Sequence, residues 1–334
     1  MPDDQIQREI EFRQTALDDL GRFCELYRRC FGRVVDEHYF RWKYCDNPSG
    51  HFVGFEAVHN GSTIASYGVI PEPYWANGAR VRVWQSMDTM TDPDYQRRGL
   101  FVSLAKQTYA HLSTIVPEYL IVGVPGPMSV RGFLDRLEWS DVGNYPAMFT
   151  HAGVLRVAER VRRTKPETRL ITSMTSELAA YLTARLAPTT PIATDFTPDF
   201  FNWRVFQSQS RTFKTLGVYV HGELVGVCVT TKDDQGWVVV QLLDFHDPVD
   251  YARLTSATLR AAVDAHAAHK LYVLEPTDAR RRNTLRRAGL VVNRTTKGPL
   301  TYRQPLIAYN PTHRFHGVDA GMATSWDFQQ LMQD

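Results

Sequence analysis

The chain is poor in cysteine, has no long apolar run and carries almost no net charge, and each shortage removes a class of protein. Its four cysteines in 334 residues, Cys24, Cys30, Cys45 and Cys228, show neither the paired spacings of a zinc site nor the density of a disulfide scaffold. Cys24 falls on one helical face with Leu20, Phe23, Tyr27 and Phe31, the pattern of a small buried hydrophobe rather than a nucleophile. The longest apolar stretches, such as residues 119–124, are too short to span a bilayer, and the acidic start Met1-Pro2-Asp3-Asp4 is unlike a signal peptide. No membrane association is expected, and the reading is cytoplasmic. With 38 Lys plus Arg against 36 Asp plus Glu, the net charge of +2 gives no general field for nucleic acid, so any anion site must be local. His266 and His269 stand on a predicted helix without a Glu-containing zinc motif, and no metal is expected.

What is present suits a globular protein of two domains: 43% apolar and 12% aromatic residues over a length beyond one average domain. Thr15 and Asp18 suggest a helix start, and the stripe above carries that helix to about Gly32. Apolar runs at 52–58 and 62–70 flank Asn60-Gly61, the signature of a hairpin, and a further strand is expected over 81–90. A helix over 99–112 and a buried strand over 119–124 follow.

Residues 151–195 break this rhythm with Arg156, Arg160, Arg162, Arg163 and Lys165 and with Pro166, Pro188 and Pro191, the composition of a linker or insertion. After it the pattern restarts. Phe40-Arg41-Trp42-Lys43 is echoed by Phe201-Asn202-Trp203-Arg204, and Asp88 precedes Tyr95 as Asp244 precedes Tyr251, each pair enclosing Asp-Pro and each Tyr opening a helical pattern. A tandem duplication is inferred, with domains at 1–150 and 196–334. Trp42 and Trp203, repeated in repeated domains, are expected as core anchors rather than stacking platforms.

The segment from Met87 to Phe101 runs from a strand through a turn into a helix. The first N–H groups of a helix have no internal partners and carry partial positive charge, so they can receive a pyrophosphate, and Gly99 permits its close approach. An ordinary capped helix is the bland alternative.

Asp92-Pro93-Asp94-Tyr95-Gln96-Arg97-Arg98-Gly99-Leu100 resembles the pyrophosphate-binding motif of the GNAT acetyltransferase superfamily. Gln96 and Gly99 fit it, and Phe101 takes a place usually held by Gly or Ala. Val124-Pro125-Gly126-Pro127-Met128-Ser129 and Arg131-Gly132-Phe133-Leu134-Asp135-Arg136-Leu137-Glu138-Trp139 resemble the family's later strand, helix and aromatic ending. Gly126 replaces a frequent Asn, Phe133 replaces a Tyr that protonates the leaving thiolate, and Glu138 replaces a common Gly.

The resemblance implies an α/β (α+β) fold of tandem GNAT-like domains, each a mixed, mostly antiparallel splayed sheet flanked by helices. Acetyl-CoA or another acyl-CoA would be the co-substrate, held by Gln96, Arg97, Arg98, Gly99, Leu100 and Phe101, with Thr89, Met90 and Thr91 along the pantetheine arm and the thioester carbonyl. Direct transfer to an amine needs a proton acceptor. Asp88, at the place of a frequent catalytic Glu, is the first candidate, with a structural ion pair, for instance to Arg82, as the alternative. Glu56 and His38 are reserves, and Tyr145 could supply the missing proton donor. The second half has Thr255 where Gly99 would recur, so no coenzyme is expected there.

The arginines at 280–282, 286 and 287 and the run from Arg156 to Lys165 are solvated faces or holders of a CoA 3′-phosphate or a nucleotide phosphate. The layout is similar to bacterial tandem proteins linked to amino-sugar and surface-polysaccharide modification, which makes a small-molecule amine, specifically an amino sugar, free or nucleotide-linked, the expected acceptor. An aminoglycoside, a polyamine, a protein lysine, or a catalytically silent acyl-CoA-binding module stay as alternatives.

Overall fold

The computed structural model describes residues 9–126, 129–162, 166–185, 190–295, 297 and 299–327. In chain order the elements are β1 (Glu11–Gln14), α1 (Gly21–Phe31), α2 (Glu37–Phe40) continuing as a π-helical turn (Arg41–Cys45), β2 (Val53–His59), β3 (Ser62–Ala76), β4 (Ala79–Thr91), α3 (Leu100–Ile115), β5 (Ile121–Gly123), α4 (Val130–Arg136) and β6 (Ser140–His151). Then come α5 (Ala152–Arg162), β7 (Glu167–Ile171), α6 (Ser176–Thr183), β8 (Ile192–Thr194), α7 (Pro198–Phe201) with a second π-helical turn (Asn202–Phe206), β9 (Lys214–Val220), β10 (Glu223–Lys232), β11 (Val238–Phe245), α8 (Pro248–Ala265), β12 (Lys270–Leu274), α9 (Ala279–Arg287), β13 (Val291–Val292) and β14 (Arg303–Tyr309). None of the described helices is long and apolar enough to cross a membrane.

The chain divides into two compact units, and the division does not follow the sequence in two clean halves. The first holds residues 1–74, 80–142 and 306–321; the second holds 75–79, 143–305 and 322–334. The first unit's strands run in the order β1, β2, β3, β4, β5, β14. β1 and β2 pair antiparallel, as do β2 and β3, while β4 and β5 are parallel and β14 returns antiparallel to β5, Ile307 opposite Gly123. Asn60 and Gly61 take φ of 50° and 74°, the positive values a two-residue hairpin turn needs. One face of this sheet buries Ala57, Tyr67, Trp84 and Ile121 against Leu104, Ala105, Tyr109 and Leu112 of α3 and Phe133 of α4.

α1 begins later than the sequence suggested, at Gly21, where the Asp19 carboxylate accepts from the Gly21 N–H at 3.2 Å. Its buried face is Phe23 and Leu26; Cys24 is half-buried and Phe31 is exposed, so the apolar stripe is rotated from the expected one. The helix ends at Gly32 in the left-handed conformation.

The second unit's strands run β6, β12, β11, β10, β9, β7. β11 and β12 are parallel, and the neighbouring pairs are antiparallel. Met148, Val218, Cys228, Val240, Leu254, Leu259 and Leu271 form its core. Residues 151–195, expected as linker or insertion, carry α5, β7, α6 and β8, because β7 finds a full antiparallel ladder on β9. Arg163, Lys165 and Pro188 lie outside the described residues. Residues 306–321, assigned by sequence to the second domain, belong to the first unit, since their strand bonds to β5.

The two copies of the Trp-cation segment adopt one local form. Trp42 and Trp203 each sit in a π-helical turn and are 4% and 1% exposed, and the cation that follows each, Lys43 or Arg204, is 1% exposed. Both tryptophans are core residues.

His266 closes α8 with its Nε2 2.9 Å from Thr230 Oγ1. Burial, then the charges of Lys214 and Lys232, push its pKa down to about 4. A histidine in the unfolded chain titrates near ~6.5, so below that pH the unfolded state binds the extra proton and stability is lost as pH falls toward the folded value. We expect thermal unfolding at about pH 7 and about pH 5 to show a smaller loss for His266→Gln than for the native chain. An identical loss in both would refute this.

Candidate active site

The strand pair at the centre of the first unit separates early. The parallel ladder between β4 and β5 runs from Trp84 opposite Ile121 to Ser86 opposite Gly123, yet β4 continues to Thr91. Beyond Ser86 the β4 backbone therefore has no ladder partner on its β5 side among the described residues. Asp88, Thr89, Met90 and Thr91 occupy this open stretch, with Met90 buried and the others partly exposed. β4 leads into a short helical turn (Pro93–Tyr95) whose N-terminus is capped by Asp92, its carboxylate accepting from the Asp94 N–H at 3.1 Å. Arg29 anchors Asp92 at 2.6 Å, and the Tyr95 hydroxyl lies 2.8 Å from His59 Nδ1.

The turn into α3 then has Arg97 at φ 65° and Gly99 at φ 76°. Gly99 is the N-cap of α3 and, having no side chain, offers no capping group to the first-turn N–H groups. Gln96, Arg97 and Gly99 are exposed, Arg98 is partly exposed with its guanidinium 5.9 Å from the Tyr95 ring centre, and Leu100 turns into the core. Phe101 also turns inward: its ring lies 4.9 Å from Phe133 and 5.9 Å from Tyr67. A Cβ at Gly132 would come within 2.9 Å of the Phe101 ring. A large residue at this place therefore leaves the helix N-terminus open. A helix end of this kind favours an anionic group.

Asp88 has φ 46°, a left-handed conformation inside a strand, which costs a non-glycine residue about 1 kcal/mol. Its carboxylate is 10% exposed. Lys43 Nζ donates to Oδ1 at 3.0 Å and lies 2.9 Å from Oδ2, and the Tyr44 hydroxyl donates to Oδ2 at 3.0 Å. The partner is Lys43 rather than Arg82. Glu56 is fully buried: Arg13 Nε donates to Oε1 at 2.8 Å, and Arg22 Nε and the Thr63 hydroxyl donate to Oε2 at 2.9 and 3.0 Å. Both oxygens are thus engaged by fold-holding donors. Burial pushes all four thiols up, Cys30 to about 11 and Cys228 to about 12, which disfavours thiolate chemistry. Among the described residues no group of three or more His, Cys, Asp or Glu could hold a metal ion.

An open parallel pair leading through a glycine turn to an uncapped helix is the frame the sequence motif requires. Residues 11–140 match the acetyltransferase (GNAT) domain. The domain indicates an acyl-CoA-dependent N-acyltransferase. No curated protein matches the chain in sequence. Among solved structures, the chain resembles a probable N-acyltransferase from Enterococcus faecalis at TM-score 0.67 and 9% identity, over 90% of this chain and 72% of that one. A GCN5-related N-acetyltransferase from Anabaena variabilis gives TM-score 0.63 and 12% identity over 89% and 72%. A tandem GNAT protein from the clavulanic acid biosynthesis pathway gives 0.58 and 12% over 90% and 98%. These likenesses show the fold.

Within the matched residues, Phe133 is buried, with its ring 4.8 Å from Trp139, and supplies no proton. Glu138 takes φ 59°, a conformation that glycine adopts without strain. Pro127 and Met128 lie outside the described residues. Tyr145 falls in the second unit, buried, and burial followed by the charge of Asp327 holds its phenol well above the usual value.

The second unit lacks the glycine turn. β11 ends at Phe245 and α8 starts at Pro248, capped by the Asp247 carboxylate, which accepts from the Val249 N–H at 2.7 Å. A negative cap occupies the place where an anion would bind. Tyr95 ends a separate turn ahead of α3, whereas Tyr251 lies inside α8, so the two tyrosines do not open equivalent helices. Asp244 accepts from Tyr181 at 2.9 Å and Arg185 at 3.0 Å. Burial raises its pKa, but Arg185 and Arg281 outweigh it and hold the carboxyl below its ordinary value. In the basic run of α9, Arg281 pairs with Asp327 and Arg286 with Glu275.

Sequence reasoning missed Lys43 and Tyr44 as the partners of Asp88. The signal was present in the repeated Trp-cation pair, where a buried base implies a buried acid.

Proposed function

We propose that the protein transfers an acetyl or other short acyl group from acyl-CoA to a primary amine on a small molecule, with an amino sugar, free or nucleotide-linked, as the acceptor. The observation that carries this reading is the uncapped N-terminus of α3, presented by left-handed Gly99 where β4 runs free of β5. The backbone N–H groups of residues 99–101, with Gln96, Arg97 and Arg98 around them, suit the pyrophosphate. The open backbone of Thr89, Met90 and Thr91 suits the pantetheine arm and the thioester carbonyl.

In the reaction the amine nitrogen bonds to the thioester carbon, the C–S bond breaks, and CoA leaves as a thiolate that takes up a proton. The amine gives up one proton. With the Asp88 oxygens held by Lys43 and Tyr44, and Glu56 closed off by two arginines, that proton is proposed to pass first to water.

Calorimetric titration of acetyl-CoA, followed by thiol-release assays on a panel of amino sugars, aminoglycosides, polyamines and lysine peptides, tests the proposal. Binding with thiol release on amino sugars is expected. Failure to bind acetyl-CoA or longer acyl-CoAs removes the acyltransferase reading, and release only with another amine class replaces the acceptor.

A further inference from the structure

We infer that Lys43 and Asp88 form a positioning latch that holds the β4 backbone bent at the point where the thioester carbonyl is polarised. The inference rests on the acyl-CoA reading above.

A left-handed residue inside a strand turns its neighbouring peptide groups out of the regular ladder, the backbone feature of a bulge. In this chain it lies just past the last β4–β5 pair, Ser86 with Gly123, where β4 begins to run free of β5. Asp tolerates the left-handed region better than most residues, but tolerance alone does not select it. The side chain does. Lys43 Nζ, 1% exposed, reaches both carboxylate oxygens, and the Tyr44 hydroxyl donates to Oδ2. Lys43 also donates to the Tyr39 hydroxyl at 3.0 Å, which ties the latch to α2, just ahead of the π-helical turn. Two consecutive residues of that turn thus grip one carboxylate and fix its φ.

The second unit is an internal comparison. Asp244 occupies the repeated place and is also in an ion pair, but its donors, Tyr181 and Arg185, come from α6 and the second residue beyond it, and its φ is not positive. Where the glycine turn is missing, the same residue type is held without the bend. The left-handed form of Asp88 therefore belongs with the coenzyme cleft and not with the fold shared by both units.

The latch makes Asp88 a positioning residue, a role different from that of a base. The test binds acetyl-CoA labelled with 13C at the carbonyl to the native protein, Asp88→Asn, Asp88→Ala and Lys43→Met, and reads the carbonyl stretch by difference infrared spectroscopy. Circular dichroism checks folding, and titration of unacylated CoA checks the phosphate site. We expect a shift to lower frequency in the native protein and in Asp88→Asn, since Asn accepts the left-handed form, its amide oxygen can accept from Lys43 and its amide N–H can donate to the Tyr44 hydroxyl oxygen. Asp88→Ala and Lys43→Met should bind CoA within about threefold of native and lose the shift. If Lys43→Met does not fold, the Asn and Ala pair decides. A native-like shift in Asp88→Ala, or its loss in folded Asp88→Asn, overturns the latch. If native protein fails to bind CoA, the acyl-CoA reading fails instead, a result distinct from loss of the carbonyl signal alone.

Discussion

Gly99→Glu should lower acetyl-CoA affinity by about 100-fold, or ~2.7 kcal/mol, while leaving the protein folded. Three effects of the substitution separate binding from folding. A Cβ at Gly99 meets no atom within 4 Å, so the side chain has room. The φ of 76° strains any non-glycine residue by about 1 kcal/mol. A carboxylate at this N-cap, however, can accept from the open first-turn N–H groups and interact well with the helix dipole, which offsets much of that strain. The charge that satisfies the helix is the one that excludes a pyrophosphate. Gly99→Ala carries the strain without the charge, so it should lose less than about fivefold in affinity. Calorimetry on both variants, with thermal unfolding as the control, reads the difference. Native-like affinity in folded Gly99→Glu would mean that the helix N-terminus does not hold the phosphates.

Glu56→Ala should destabilise the protein by about 3 kcal/mol. The carboxylate is fully buried on β2, and three donors converge on it: Arg13, Arg22 and Thr63. Arg22 is 12% exposed and would be left as a cation with its main partner gone, whereas Arg13, 46% exposed, can turn to water. That asymmetry sets the figure at the low end of the cost of breaking a buried pair. For a unit of this size the expected fall in melting temperature is roughly 8 °C. A change below about 1 kcal/mol would show that the cluster contributes little and would return Glu56 to the list of candidate proton acceptors.

The hairpin at Asn60-Gly61 and the turn at Gly99 were legible because each depends on a backbone angle that few residues accept. The repeated π-helical turn was legible because Trp42 and Trp203, with the cations that follow them, recur in order. The bounds of α1 were not, since Thr15 and Asp18 make a plausible cap and only packing decides that Leu26 rather than Phe31 faces inward.

Local sequence by itself determined the strands and helix from β2 to β5, the glycine turn ahead of α3 and the absence of its glycine at Thr255, all of which follow from periodicity and from φ restrictions within a few residues. Tertiary structure alone decided that β14 closes the sheet of the first unit and β6 joins the sheet of the second. It alone decided that Lys43 answers Asp88, and that two arginines from separate segments answer Glu56. Strand pairing and ion pairing join residues far apart in the chain, and a carboxylate in a sequence carries no mark of which distant cation the folded chain will bring to it.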